Sequence, residues 1–421
     1  MLLFEFRITR LGDYGNLDHG AAVSLYALFL IHYLINEMRF PSSEFARRIK
    51  SIRKGMERHD LDVLLIYSTP GCMRYGQRGH VLYVSGYEPY FGDAMVILPA
   101  DDETDPLLQI DQADFLPSEH VWIKDTIPWK DPVLTVANYL KDNRIARARM
   151  GIAGEYSMSL PLINRLKKKF RDSTITFASE ILEKERIVKS EFEIASIRKA
   201  SEIAGIGFEA AAEYAKPGVT EADVAAEVER ACRTAGSEYF PHHTMVSSGT
   251  SVKHLDLWWY CGRRRLRRND PWNLDFGTMY NAYCCDIARS YCLGAPSSKH
   301  RRIYEVLVEA EEAACKAARP GVMASEVNEA AIGIMNESFE GDFSGIGHGV
   351  GLEVHEWPFV GYQYILNDSV YRDRKLEKNT VISVEPQAYT KEFGYMQIED
   401  EMVITQSGGK FLNQIPRELL G

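Results

Sequence analysis

Five side chains in the last third of this 421-residue sequence carry the donor atoms a hydrolytic centre needs: Asp275, Asp286, His348, Glu385 and Glu399. Each lies in a stretch that reads as buried strand or glycine-flanked turn. Asp275 sits in Trp-Asn-Leu-Asp-Phe-Gly, Asp286 in Tyr-Cys-Cys-Asp-Ile-Ala-Arg and His348 in Gly-Ile-Gly-His-Gly-Val-Gly. Glu385 follows Val-Ile-Ser-Val, and Glu399 lies in Met-Gln-Ile-Glu-Asp-Glu-Met-Val-Ile. Carboxylates are almost never fully buried unless they are paired or bind a metal. If these four converge, two of them ~4 Å apart repel by ~4 kcal/mol at an effective dielectric of ~20. Cations at the centre, or protons, must offset that cost. Four carboxylates and one imidazole form a hard, oxygen-rich set that suits Mn²⁺, Fe²⁺, Co²⁺ or Zn²⁺. The expectation is a two-metal hydrolytic site, the ions ~3.5–4 Å apart, binding a bridging hydroxide and polarising a substrate carbonyl.

The elements that must position these groups come in two similar sets. Asp275 and Asp286 are eleven positions apart, with residues 277–283 as a hairpin connection. Glu385 and Glu399 are fourteen apart, with Glu392-Phe393-Gly394 as the turn, and Gly347 and Gly349 around His348 suggest a backbone that approaches something closely. Ahead of each set comes a helical pair. Ser190-Glu-Phe-Glu is a capping box, and Ile194, Ile197, Ala204, Phe208, Ala211 and Ala215 recur at helical spacing. Lys216-Pro217-Gly218 stops that helix, and Thr220 can cap a second that Gly236 ends. A helix over about 299–319 stops at Arg319-Pro320-Gly321, and Ser325 opens another. Residues 216–224 and 319–327, 103 positions apart, agree at four of nine places. A duplicated α+β half-domain follows, each half bringing one carboxylate pair to a shared axis.

Residues 43 to about 180 alternate helix and strand patterns: a basic amphipathic helix (Phe45–Arg58), strands at Leu61–Tyr67, Val81–Tyr87, Ala94–Pro99 and Met150–Ala153, and helices at Pro132–Asp142 and Leu160–Phe170. Such alternation predicts an α/β domain. The expected division is an extension over 1–37, an α/β domain over 38–182 and a catalytic domain over 183–421. Ala21–Ile35 is an apolar run of 15, short of the ~20 residues of a membrane span, and reads as a docked helix or upstream extension. Ser43 is the expected cap of the first helix.

With 45% hydrophobic and 26% charged residues the chain is globular, and a net charge of −10 argues against nucleic acid or anionic membrane as a partner. The five arginines between Arg263 and Arg268 form a solvated loop tip or an anion-steering rim. Seven scattered cysteines, without a Cys-x-x-Cys pair, point to reduced thiols and a cytoplasmic location.

Over about residues 43–415 the text resembles the pita-bread family: methionine aminopeptidase, aminopeptidase P, prolidase and the non-metal relative creatinase. The matching stretches are Leu-Asp-Phe-Gly…Tyr-Cys-Cys-Asp-Ile-Ala-Arg-Ser, Gly-His-Gly-Val-Gly-Leu-Glu-Val-His-Glu, Val-Ile-Ser-Val-Glu-Pro, Gln-Ile-Glu-Asp-Glu-Met-Val-Ile-Thr and the lead-in Arg186-Ile-Val-Lys-Ser-Glu-Phe-Glu-Ile. The resemblance implies a creatinase-like α/β N-terminal domain, then an α+β pita-bread domain with internal pseudo-two-fold duplication, in a homodimer. It also implies two divalent ions, Mn²⁺ foremost, with Asp275 on one, His348 on the other, and Asp286 and Glu399 between them. Glu385 would ligate and shuttle a proton from water to the leaving amine. His355 would contact the substrate and His254 would stabilise the tetrahedral intermediate; His242 and His243 are expected to be structural or rim residues.

The expected activity is that of an Xaa-Pro dipeptidase or aminopeptidase on small peptides. Prolidases and aminopeptidase P usually carry glycine where Gln387 stands and arginine where Gln397 stands, on the substrate side of the site. These departures keep open a creatinase-like C–N hydrolase or lyase acting on a small non-peptide metabolite. Trp258, Trp259 and Tyr260 are core or interface aromatics, or a wall for a flat or cationic substrate. A catalytically dead binding module would have lost ligands, and none is lost.

Overall fold

The computed structural model describes residues 40–73, 77–111, 121–249, 261–338, 342–361, 373–390 and 394–418. The 1–37 extension, His254, Trp258 to Tyr260 and the Glu392-Phe393 turn lie outside the described residues.

The first unit is built on a six-stranded sheet. Its strands are β1 (Val63–Ser68), β2 (Ala94–Pro99), β3 (Leu107–Ile110), β4 (Asp125–Pro128), β5 (Arg149–Ala153) and β6 (Thr174–Phe177), in the order β4-β3-β2-β1-β5-β6. β1 is buried on both faces, so its alternate side chains feed two cores. Val63, Leu65 and Tyr67 pack with α3 (Pro132–Asp142) and α4 (Leu160–Lys169). Leu64 and Ile66 pack with α1 (Ser42–Arg58), α2 (Gly79–Ser85) and α5 (Ser179–Ile187).

Two local expectations are corrected here. Residues 81–87, read as a strand, include most of α2, whose seven residues are all buried. A short, uniformly apolar run has no period to separate strand from helix. Gly86, at φ +79°, closes the helix with its N–H on the Leu82 carbonyl. Ser43 does not cap α1, which begins one residue earlier behind Pro41 without a side-chain cap.

The second unit starts with α6 (Glu191–Tyr214) and α7 (Glu221–Thr234), both opened by reciprocal capping boxes, Ser190 with Glu193 and Thr220 with Asp223. Strands β7 (Met245–Ser248), β8 (Pro271–Phe276), the short ribbon β9 (Met279–Tyr280) and β10 (Tyr283–Cys284), and β11 (Ile287–Cys292) follow. Then come α8 (Ser298–Ala317), α9 (Ala324–Ser338), β12 (Asp342–Gly349), β13 (Glu356–Val360), β14 (Val381–Thr390), β15 (Gly394–Thr405) and β16 (Gly408–Phe411). The main sheet runs β13-β12-β14-β15-β11-β8-β7, antiparallel throughout, with β16 beside β15.

That order is a repeat meeting itself at the β11–β15 seam. In one half two helices precede the row β7-β8-β11; in the other two helices precede β12-β14-β15. The matched turns make the same bonds. Gly218 N donates to Leu266 O at 2.9 Å and Leu266 N to Val219 O at 2.8 Å; Gly321 N donates to Leu376 O and Leu376 N to Val322 O, both at 2.8 Å. Gly218 and Gly321 hold φ of +96° and +89°, a region glycine enters freely and side chains with a Cβ rarely adopt. Each half has its own core, α6 and α7 against β8 and β11, and α8 and α9 against β14 and β15. Part of the arginine run belongs to this frame: Arg265 donates to Gly218 O at 2.6 Å, and Arg264 pairs with Asp270 at 2.6 Å. Arg263, Arg267 and Arg268 are exposed.

Candidate metal centre

One face of the main sheet packs on helices through Ile382, Val384, Met396, Ile398 and Met402. By the two-residue period of a strand, the intervening side chains point the other way. Those are Ser383, Glu385 and Gln387 on β14, and Tyr395, Gln397, Glu399 and Glu401 on β15, all buried. The β14–β15 register joins Val384 to Asp400 and Gln387 to Gln397, which sets Glu385 opposite Glu399. Across the seam Ala288 pairs with Glu399 on one side and with Asp275 on the other. Register alone therefore gathers the carboxylates, and Asp286, just before β11, joins them at the strand end.

His348 comes from β12. A Cβ at Gly347 or Gly349 would run into the carbonyls of Ser383 or Trp357, so the neighbouring strands close in only around glycine. The His348 Nε2 stands 3.6 Å from Asp286 Oδ2 and 3.7 Å from Glu399 Oε1. His355 follows in the loop before β13, its ring centre 4.2 Å from that of His348. Three donor groups emerge: His348, Glu385 and Glu399; His242, Asp275 and Asp286; and Asp286, His348 and His355, with donor atoms inside 4.8 Å in each. Asp286 belongs to two of them, one oxygen toward His242 and the other toward His348.

His242, read from sequence as structural or rim, is buried with Nε2 3.0 Å from Asp286 Oδ1. The signal available was its place three residues ahead of β7, whose Met245 pairs with Asp275. A single sequence gives no register across that pair, so the histidine pointed nowhere. His243 is exposed.

Second contacts fix the donors. His348 Nδ1 lies 3.2 Å from Gly349 O, and His355 Nδ1 lies 2.7 Å from Met73 O in the first unit. A carbonyl only accepts, so each Nδ1 carries the proton and Nε2 is left as the ligand or acceptor atom. Ser383 Oγ donates to Glu399 Oε1 at 2.8 Å. The Asp286 backbone N–H donates to Glu401, and Arg289 donates to the Glu399 carbonyl at 2.9 Å while pairing with Asp400. Gln397 Nε2 is 3.4 Å from carboxylate oxygens of Asp275, Glu385 and Glu399. The Tyr395 hydroxyl lies between the side-chain oxygens of Gln387, at 2.8 Å, and Gln397, at 2.7 Å.

The electrostatics are those of crowded negative charge. Burial, then Asp286 and Glu399, hold Asp275 well above the usual carboxylate range. Burial, then Glu399, Asp286 and Asp275, do the same to Glu385. Burial opposes the charged form of His242, but the Asp286 carboxylate outweighs it and pushes the imidazole up to about 10. Burial and then His348 lower His355 to about 3, so it stays neutral. Among the described residues, Asp275 Oδ1 and His348 Nε2 are buried without a hydrogen-bond partner. Oriented lone pairs left over in a nest of carboxylates fit divalent cations.

A catalytic sheet of this topology, with carboxylates at its seam and a glycine-flanked histidine beside them, defines a metallopeptidase scaffold. The comparisons agree. Residues 195–406 match the description Metallopeptidase family M24, and residues 48–188 match the Creatinase/Prolidase N-terminal domain. The Xaa-Pro dipeptidase of Pyrococcus horikoshii is 32% identical over 380 residues, covering 89% of this chain and 98% of that one. The prolidase structure from Pyrococcus horikoshii OT3 superposes with a TM-score of 0.74 at 30% identity, over 89% of this chain and 99% of that one. The X-Pro aminopeptidase from Thermotoga maritima MSB8 gives 0.75 at 26% identity, over 88% and 99%. The chain belongs to metallopeptidase family M24, a creatinase-type N-terminal domain preceding a pita-bread catalytic domain.

Proposed function

We propose that the chain is a dinuclear metal-dependent peptidase that cleaves small peptides, with Xaa-Pro dipeptides as the leading substrate class. The observation that carries this reading is the convergence of Asp275, Asp286, His348, Glu385 and Glu399, with two buried donor atoms lacking partners. The names of the Pyrococcus relatives supply the substrate class. Asp275 would hold one ion and His348 the other, with Asp286 and Glu399 shared. Bound there, two divalent ions, Mn²⁺ foremost, would supply an activated water and polarise the scissile carbonyl.

The protein groups would do the rest. Glu385, whose Oε2 receives the Gln397 amide, would take a proton from the attacking water and pass it to the leaving amine. His355, neutral and with its Nδ1–H spent on Met73, offers Nε2 as an acceptor for a substrate N–H. His254 is proposed to steady the developing oxyanion. The test is hydrolysis of Xaa-Pro dipeptides and tripeptides by protein loaded with Mn²⁺ or Co²⁺. Turnover of dipeptides is expected; none on any of these peptides would remove the Xaa-Pro reading.

A second reading keeps the centre and changes the substrate to a small non-peptide metabolite. It rests on Gln387 and Gln397, linked through Tyr395, standing where the family usually has glycine and arginine. Two neutral amides cannot pair with a substrate carboxylate as a guanidinium does. A metabolite screen with the same loaded protein separates the two.

A further inference from the structure

We propose that His242 is a sixth metal ligand, completing the Asp275 side of the centre with an imidazole nitrogen. The inference rests on the dinuclear reading above and extends it. Three observations on different atoms carry it.

The first is position. His242 Nε2 lies 3.0 Å from Asp286 Oδ1, and His242, Asp275 and Asp286 offer donor atoms within 4.8 Å of one another. The second is the orientation of the ring. His242 Nδ1 is 3.0 Å from the His243 carbonyl, as His348 Nδ1 is 3.2 Å from the Gly349 carbonyl. Both rings thus spend Nδ1–H on the carbonyl of the next residue, which leaves Nε2 toward the carboxylates. A histidine that ligates a metal is held in this way. The third is the partner's unmet capacity. Asp275 Oδ1 is buried with no hydrogen bond among the described residues, so the carboxylate that shares this donor group with His242 has an oxygen with unmet capacity.

The duplication gives the arrangement its logic. β12 carries His348 and lies outside the Glu385 strand; β7 lies outside the Asp275 strand and His242 leads into it. Each half thus brings one imidazole to its own carboxylate, and Asp286 presents one oxygen to each. Without His242 the Asp275 side is all oxygen, a set suited to Mn²⁺. With it the side is mixed nitrogen and oxygen, which favours Co²⁺, Zn²⁺ or Fe²⁺ over Mn²⁺.

The test uses the full chain stripped of metal, as wild type, H242Q, H242C and the exposed neighbour control H243Q. Calorimetric titration with Co²⁺ is expected to show two ions bound by wild type and H243Q. In H242Q one of the two steps should weaken by tenfold or more, with a smaller change for Mn²⁺. Proton spectra of the Co²⁺ forms should lose one strongly shifted, solvent-exchangeable ring N–H resonance in H242Q. H242C loaded with Co²⁺ should gain a thiolate-to-metal absorption band in the near ultraviolet that wild type lacks, which also covers the case of a poorly folded H242Q. Wild-type Co²⁺ affinities and an unchanged set of shifted resonances in H242Q, with no new band in H242C, would overturn the assignment. Wild type that binds no cobalt would overturn the dinuclear reading and the sixth ligand together, a result distinct from unchanged binding in the variants.

Discussion

At the scale of single residues, the candidate donors are oriented by neighbouring side chains such as Ser383 and Gln397. Glu385 has the most direct prediction. Glu385→Gln keeps the shape and removes the proposed proton acceptor, so turnover should fall by ~10²-fold or more, with the far-ultraviolet circular dichroism unchanged. Retained activity would contradict the shuttle role. Tyr395 is the more subtle case. Its single hydroxyl hydrogen reaches one of the side-chain oxygens of Gln387 and Gln397 at a time, and Tyr395→Phe takes that donor from the buried amide pair. The cost should be ~1–3 kcal/mol in a urea denaturation series. Gln397, released, should also lose its hold on the three carboxylates, and kcat should drop more than KM rises.

At the scale of elements, the loop that carries His355 is held by ions rather than by apolar packing alone. Glu353 and Glu356 flank His355. Arg186 at the end of α5 pairs with both, at 2.8 Å for Glu353, and Lys189 pairs with Glu356 at 2.9 Å. All four side chains are buried. The Arg-Ile-Val-Lys lead-in, a motif with no chemistry of its own, is thus the anchor between the two units and the His355 loop. Removing one member of a buried pair strands the other charge and costs ~3–5 kcal/mol. Lys189→Met should therefore lower the unfolding free energy from urea denaturation by an amount up to that range and slow turnover, and Lys189→Arg should recover much of both. A Lys189→Met protein of wild-type stability would show that Arg186 alone suffices.

At the scale of the whole molecule, two stability dependences follow. Glu311 on α8 is buried, and burial and then Asp400 push its carboxyl up to about 8, against Arg417 and Arg289. A carboxyl raised in the folded state favours folding most when both states are protonated. That contribution is full below the ordinary value near 4.5 and is lost as pH rises toward about 8. Glu311→Gln should flatten the fall of Tm over this window; a slope equal to wild type would mean the charge is carried elsewhere. Metal removal is the other lever. An ion that binds only the folded state at 100 times its Kd stabilises by ~2.7 kcal/mol. Chelation should lower Tm accordingly, and re-addition of Co²⁺ or Mn²⁺ should restore it; a Tm indifferent to chelator would count against a metal centre.

The sequence by itself determined the repeat, the helix starts at Ser190 and Thr220 and the five candidate donors, because each is written in local chemistry. A proline-glycine stop, a Ser-x-x-Glu start and a carboxylate inside an apolar strand announce themselves within a few residues. The strand register was decided only in three dimensions. So were the helix at residues 79–85, the ionic anchor of the His355 loop and the place of His242 against Asp286. These depend on which backbone lies beside which, and a hydrogen-bond ladder between segments dozens of residues apart leaves no mark on the text of either one.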